Sequence, residues 1–155
     1  GVRRVVFCSG KVYFDLLKAR RKDGTRDVAL VRIEQLYPFP TEEYEAALAR
    51  YPGAREVVWC QEEPQNQGAW YQIRHRLQEP LGQRRVVLYA GRAPAAAPAT
   101  GIGKIHEAEQ HSLINAALHG AATEDSARET TRLTPGAAPA AGGQSAPATP
   151  LRKSS

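Results

Sequence analysis

The stretch Val2-Arg3-Arg4-Val5-Val6-Phe7-Cys8-Ser9-Gly10-Lys11-Val12-Tyr13-Phe14-Asp15-Leu16-Leu17 decides the fold by changing its period partway along. Residues 2–8 form a β-branched and aromatic run of strand length, stopped by Ser9-Gly10. Residues 11–22 follow with Tyr13, Leu16 and Leu17 on one side at helical spacing, until Asp23-Gly24 breaks the pattern. A strand that runs through a short turn into a helix is the first half of a β-α-β unit.

The same unit recurs downstream. Residues 27–36 carry Val28, Leu30, Val31 and Ile33, apolar toward both faces, as suits a parallel strand covered on both sides. Tyr37-Pro38-Phe39-Pro40 then reads as an extended link, with Thr41 as N-cap of a helix whose buried stripe is Tyr44, Ala47, Leu48 and Tyr51. Residues 56–61 hold the third strand, Val57-Val58-Trp59-Cys60, followed by a polar loop and a helix marked by Trp70, Ile73 and Leu77. Residues 85–90 give the fourth strand, and a last helix runs from about residue 104 to 118 with Ile114, Ala117 and Leu118 inward. Strand-helix units in series predict a three-layer α/β/α fold around a mainly parallel sheet of about four strands.

Composition divides the chain in two. From Gly120 to Ser155 the only bulky apolar residues are Leu133 and Leu151, among Ala, Pro, Gly, Ser and Thr. Such a stretch cannot bury enough apolar surface to offset its ordering entropy. The expected organisation is a folded domain over residues 1–119 and a disordered tail over residues 120–155.

Several function classes are disfavoured. The net charge of +5 is spread along the chain, and its densest run, Lys18, Arg20, Arg21 and Lys22, complements the end of a predicted helix. No aromatic platform interleaves with it, so no nucleic-acid partner is expected. No run has transmembrane length, so no membrane partner is expected either. Cys8 and Cys60 lack C-x-x-C spacing and read as buried thiols in a reducing compartment. The chain has no methionine, which a fragment of a longer subunit explains simply.

In a parallel sheet, function gathers on the loops at the carboxyl ends of the strands. Ser9-Gly10-Lys11 offers a helix start and a cation to an anion, a turn that many α/β domains carry without a ligand. Gly101-Ile102-Gly103-Lys104 fails as a phosphate loop, since Pro98 and Ile105 stand where glycine and Ser/Thr belong. His106 and His111 are five apart, about 140° around a helix, too far for one metal; no metal site is expected. His75, between two arginines, reads as solvated. Glu62-Glu63 is expected to accept backbone N–H bonds in a sharp loop shaped by Pro64 and Gly68, rather than to act as an acid pair. A hydrolase built on Glu62 or Cys60 lacks a placed partner, so no catalytic residue is assigned.

The block V-W-C-Q-E-E-P-Q-N-Q-G-A-W-Y (residues 58–71) resembles a signature of the decarboxylase subunits of 2-oxoglutarate dehydrogenase complexes. The resemblance continues, in order, through F-C-S-G-K-V-Y-F-D-L (7–16), V-R-I-E-Q-L-Y-P-F-P (31–40) and Y-A-G-R-A-P-A-A-A-P-A-T-G (89–101). Subunits acting on 2-oxoadipate share much of this pattern. The resemblance implies the transketolase-like C-terminal domain of a homodimeric, thiamine-diphosphate- and magnesium-dependent enzyme. That enzyme decarboxylates 2-oxoglutarate in the tricarboxylic acid cycle and succinylates the lipoyl group of a dihydrolipoyl succinyltransferase. It further implies that cofactor and catalytic residues lie in upstream domains, so this stretch alone is expected to be inactive and to bind no cofactor.

On that resemblance the loop bearing Glu62, Glu63, Gln65, Asn66, Gln67, Gly68 and Trp70 is expected to pack on an upstream domain or second subunit, with Trp70 as apolar anchor. Some members respond to nucleotides or acetyl-coenzyme A, which makes Lys11 and Arg92 the candidate allosteric anion contacts. The family's domain normally gains a further strand from before Gly1, whose absence would leave a sheet edge open. Bacterial cytoplasm and mitochondrial matrix both host such complexes. The alternative from another class is a free-standing, non-catalytic domain that binds an anionic metabolite.

Overall fold

The computed structural model describes residues 1–83, 85–96 and 103–120. The expectation of a disordered tail, from residue 121 on, and most of the Ala/Pro-rich loop lie outside the described residues. Four strands alternate with four helices: β1 Arg4–Cys8, α1 Val12–Lys22, β2 Val28–Arg32, α2 Thr41–Ala49, β3 Glu56–Pro64, α3 Trp70–Gln78, β4 Val87–Arg92 and α4 Gly103–His119. A short 3-10 turn, Glu79–Leu81, ends the α3 segment.

All strand pairs are parallel and the sheet order is β2-β1-β3-β4. Val6 lies level with Leu30 on one side and Val58 on the other, which fixes which side chains share a face. Val5, Phe7, Val57, Trp59, Val87 and Tyr89 pack under α2 and α3, against Tyr44, Trp70, Ile73 and Leu77. Val6, Cys8, Val58, Cys60 and Ala90 pack under α1 and α4, against Val12, Leu16, Leu113 and Leu118. This is the expected three-layer α/β/α arrangement. Each fully buried Val, Leu or Phe contributes roughly 1.5–3 kcal/mol, so two aliphatic layers on a sheet this small account for its cohesion.

Local differences from expectation have physical causes. β3 runs to Pro64 rather than stopping at Gln61, because an irregularity between Cys60 and Pro64 lets Pro64 pair with Arg92 of β4. Thr41 is the first helical residue, not the cap: Pro40 occupies the N-cap and makes no side-chain cap bond. Ile114 is only half buried, and Leu113 and Ala116 take the inward positions beside Ala117 and Leu118.

Arg4, inside a central strand, is the one guanidinium buried in this core that sequence patterning reads as apolar strand. Its Nη1 donates to the carbonyls of Ala116 and Ala117, each at 3.0 Å, and its Nε donates to Glu56 Oε2 at 2.8 Å. Gly120 N also donates to the Ala116 carbonyl, at 3.1 Å, so Arg4 adds a second donor there and supplies one to the Ala117 carbonyl, where a cation also meets the negative end of the helix dipole. Gly120 ends the helix with φ of +94°, and a Cβ at that position would overlap Arg4 Nη2.

Candidate functional site at the carboxyl edge

The loops after β1, β2 and β3, and the described part of the loop after β4, emerge at the carboxyl edge, and Gln61 organises the one after β3. Its Oε1 accepts from Trp59 Nε1 at 2.9 Å and from the backbone N–H of Trp70 at 3.0 Å. Its Nε2 donates to the carbonyls of Glu63 and Pro64, at 3.2 and 3.1 Å. One buried amide thereby supplies the acceptor for two buried donors, the Trp59 indole and the Trp70 backbone N–H, and ties the turn through two carbonyls. Gly68 closes over it: a Cβ there would overlap the Gln61 amide. Gly91 is equally tight against the Tyr89 hydroxyl and the Gln61 carbonyl.

Beyond Gln61, the loop clasps its neighbour. Asn66 Oδ1 accepts from Ala95 N and Asn66 Nδ2 donates to Ala95 O, both at 3.0 Å. Gln67 Nε2 also donates to Ala95 O, at 2.6 Å, and Gln65 N donates to Arg92 O at 3.1 Å. The side-chain amides of Asn66 and Gln67, expected to face a partner, therefore bond the loop after β4, and Gln65 is tied to Arg92 through its backbone N–H. Trp70 likewise does not project outward as an anchor. It is 5% exposed, with its ring 5.2 Å from that of Tyr89, because α3 begins at Trp70 and turns the side chain onto the sheet. Its indole N–H is buried without an acceptor among the described residues.

The charged residues expected to take an anion are engaged by carboxylates. Lys11 Nζ makes an ion pair with Glu62 Oε1, which also accepts from Gln110 Nε2 at 3.0 Å. Gln110 Nε2 reaches Asp15 Oδ2 as well, at 3.1 Å, so α1, β3 and α4 are joined by polar contacts at this edge. The hydrogen bond to Glu62 holds the Lys11 ammonium above its ordinary pKa. Arg92 Nε lies 2.7 Å from Glu109 Oε2, a charge contact rather than an aligned hydrogen bond. Glu62 thus receives side-chain donors from Lys11 and Gln110, not the backbone N–H groups expected of it. Glu63 is exposed, and its backbone carbonyl, rather than its carboxylate, shapes the loop.

Nucleophile chemistry is not built here. Burial pushes the Cys8 thiol up to about 12 and raises Cys60 further, so neither supplies thiolate at neutral pH. His75, His106 and His111 are exposed. No three His, Cys, Asp or Glu side chains converge as a metal site among the described residues. With the rim cations already paired, this donor set does not fit a magnesium-bound diphosphate. No helix among the described residues is long and apolar enough to cross a membrane.

What the edge does present is aromatic surface. Tyr37, on the link after β2, is 93% exposed, and Phe14, in the first turn of α1, is 58% exposed. Arg32 lies over the Phe14 ring at 5.3 Å and the Tyr13 ring at 5.9 Å, completing a half-open platform. Tyr71, at the start of α3, is also exposed, with Arg74 4.9 Å from its ring centre. All three exposed aromatic rings among the described residues stand at helix starts or links on this edge. Sequence reading missed Gln61, Gln110, Asp15 and Glu109; only Gln61 carried a signal, as an amide continuing an apolar strand.

A parallel sheet covered by helices on both faces, with polar and aromatic features on one rim, is a three-layer α/β/α domain. A solved structure described as "Split gene transketolase, inactive beta4 tetramer" matches it with a TM-score of 0.54 and 15% identity, over 76% of this chain and 40% of that one, a likeness of fold alone. The family profile described as 2-oxoglutarate dehydrogenase C-terminal matches residues 1–118, and the chain belongs to that family. It is 50% identical over 119 residues to the 2-oxoglutarate dehydrogenase E1 component of Coxiella burnetii, covering 76% of this chain and 13% of the relative. The E1 component of Haemophilus influenzae is 50% identical over 117 residues, covering 76% of this chain and 12% of the relative. This chain spans only 12–13% of the length of these curated relatives.

Proposed function

We propose that this chain carries, over residues 1–119, the C-terminal domain of the decarboxylating E1 subunit of a 2-oxoglutarate dehydrogenase complex. In that subunit the substrate is 2-oxoglutarate and the acceptor is the lipoyl group of a dihydrolipoyl succinyltransferase. Thiamine diphosphate, which supplies carbanion stabilisation when bound, and magnesium belong to the domains that precede this one. The role of this chain is to consolidate the subunit and its homodimer by covering its carboxyl edge, with Phe14, Tyr37 and Tyr71 as the surfaces that become buried. The observation that carries this reading is the concentration of exposed aromatic rings on the edge whose polar residues are already paired internally. Buried aromatics dominate interface energetics, whereas rim polar groups contribute little. The loop bearing Glu62, Glu63, Gln65, Asn66, Gln67 and Gly68 then acts as the rigid support of that surface. An anionic effector at Lys11 and Arg92 would have to displace Glu62 and Glu109, so that regulatory role needs an effector with charge enough to compete. Bacterial relatives favour the cytoplasm as the compartment.

The test is a chimera in which this chain replaces the matching C-terminal stretch of the Haemophilus influenzae subunit. Turnover is measured with 2-oxoglutarate and 2-oxoadipate side by side. Activity toward 2-oxoglutarate above that of the truncated subunit is expected. A folded, dimeric chimera without activity contradicts the reading, and preference for 2-oxoadipate reassigns the substrate.

A further inference from the structure

We propose that the amino edge of the sheet, opposite the aromatic rim, is a docking surface for an acidic polypeptide segment of another protein. An arginine stands just ahead of every strand: Arg26 before Val28, Arg3 before Arg4, Arg55 before Glu56 and Arg85 before Val87. The order β2-β1-β3-β4 and the strand registers set Arg3, Arg55 and Arg85 level with one another across the edge, with Asp27 level with Arg3 on β2 and Arg26 one residue further out. Backbone contacts carry the register down to them: Arg3 N donates to Asp27 O at 2.9 Å, and Arg55 N donates to Arg3 O at 2.8 Å. Arg85 Nη1 reaches Ala54 O at 3.0 Å. Neighbouring strands lie about 4.8 Å apart, so Arg3, Arg55 and Arg85 start from adjacent strand ends.

Folding accounts for part of this row and not the rest. Arg3 is taken by Asp27 at 2.5 Å and Glu56 at 3.1 Å, and Arg85 by the Ala54 carbonyl. Arg26 and Arg55 are exposed and have no ion-pair partner among the described residues. Neither is in a helix, so neither complements a helix dipole, whereas Lys22 and Arg50, which add charge to the same edge, end α1 and α2. A carboxylate-bearing partner gives the guanidinium groups of Arg26 and Arg55 a bidentate acceptor each. A nucleic acid would want aromatic platforms between the cations, and the exposed rings are all on the opposite edge.

The test is fluorescence anisotropy of a labelled glutamate-rich peptide titrated with the 155-residue chain, with charge-matched single-stranded DNA as the rival probe. The double variant Arg26→Glu/Arg55→Glu is compared with Lys18→Glu/Arg74→Glu, which changes net charge equally away from the row. Circular dichroism checks that each is folded, and Arg26→Gln/Arg55→Gln replaces the first if it is not. Peptide binding should weaken at least about tenfold in the row variant and less than about twofold in the control, and should fall as salt rises. Equal weakening in both variants, no binding by the unaltered chain, or tighter binding of DNA than of peptide would overturn the proposal.

Discussion

Gln61 shows how much a single buried amide can hold. It is 3% exposed, and replacing it with leucine keeps the volume while leaving the Trp59 indole N–H and the Trp70 backbone N–H without an acceptor. Unfolding in urea, followed by tryptophan fluorescence, should show Gln61→Leu destabilised by about 2–4 kcal/mol, since each stranded buried donor costs about 1–3 kcal/mol. A loss below about 0.5 kcal/mol, the scatter of surface substitutions, would mean that water satisfies both donors. The two thiols make a second residue-scale test. Their raised pKa values mean that the folded state keeps its protons after the unfolded state has begun to lose them at about pH 8.5. Stability should therefore decline as pH rises beyond that point. Iodoacetamide at pH 8 should leave both cysteines unmodified in the native chain and alkylate both in denaturant, as read by mass spectrometry. Burial of these thiols was legible from their place at the ends of apolar runs. The service of Gln61 was not, because no spacing rule tells which way a strand-end amide points.

At the scale of the element, α4 is held to the sheet by apolar packing and by Arg4. Arg4→Met should cost about 1–3 kcal/mol, because it leaves Glu56 with Arg3 alone and takes from the Ala117 carbonyl its charged donor. Amide exchange should then rise first over residues 106–119; unchanged protection there would show that packing alone docks the helix. The hydrogen bond from Arg4 holds the Glu56 carboxyl below its ordinary range, with Arg3 adding to it. For a depressed carboxyl, the stabilisation is full above the unfolded value of about 4.3 and is lost as pH falls through the folded value. Acid unfolding of Glu56→Gln should accordingly be shallower than that of the unaltered chain in this window. The strand-helix alternation itself was legible because each element is an apolar run with its own period. The extension of β3 to Pro64 and the inward turn of Trp70 were not, since both follow from pairing with β4 and from the starting point of α3.

The whole molecule has two unlike poles. Its carboxyl edge carries the exposed aromatic rings over a polar network that is already closed, and its amino edge carries the arginine row. Both outer strands, β2 and β4, pair on one side only among the described residues. Fold class and family membership were both readable from ordered blocks of sequence. The side chains of the rim were only partly readable: Trp70 is buried, Asn66 and Gln67 are exposed but bonded to the loop after β4, and Phe14, Tyr37 and Tyr71 are the exposed rings among the described residues. Hydrogen-deuterium exchange tests the assignment of this rim most directly, comparing the free chain with the same chain joined to the thiamine-binding part of an E1 subunit. Exchange over residues 11–16 and 34–44 should slow at least about tenfold on joining, with residues 24–27 and 53–56 unchanged. Equal exchange of the rim segments in the two forms would contradict the claim that the carboxyl edge is where this domain meets the rest of its enzyme.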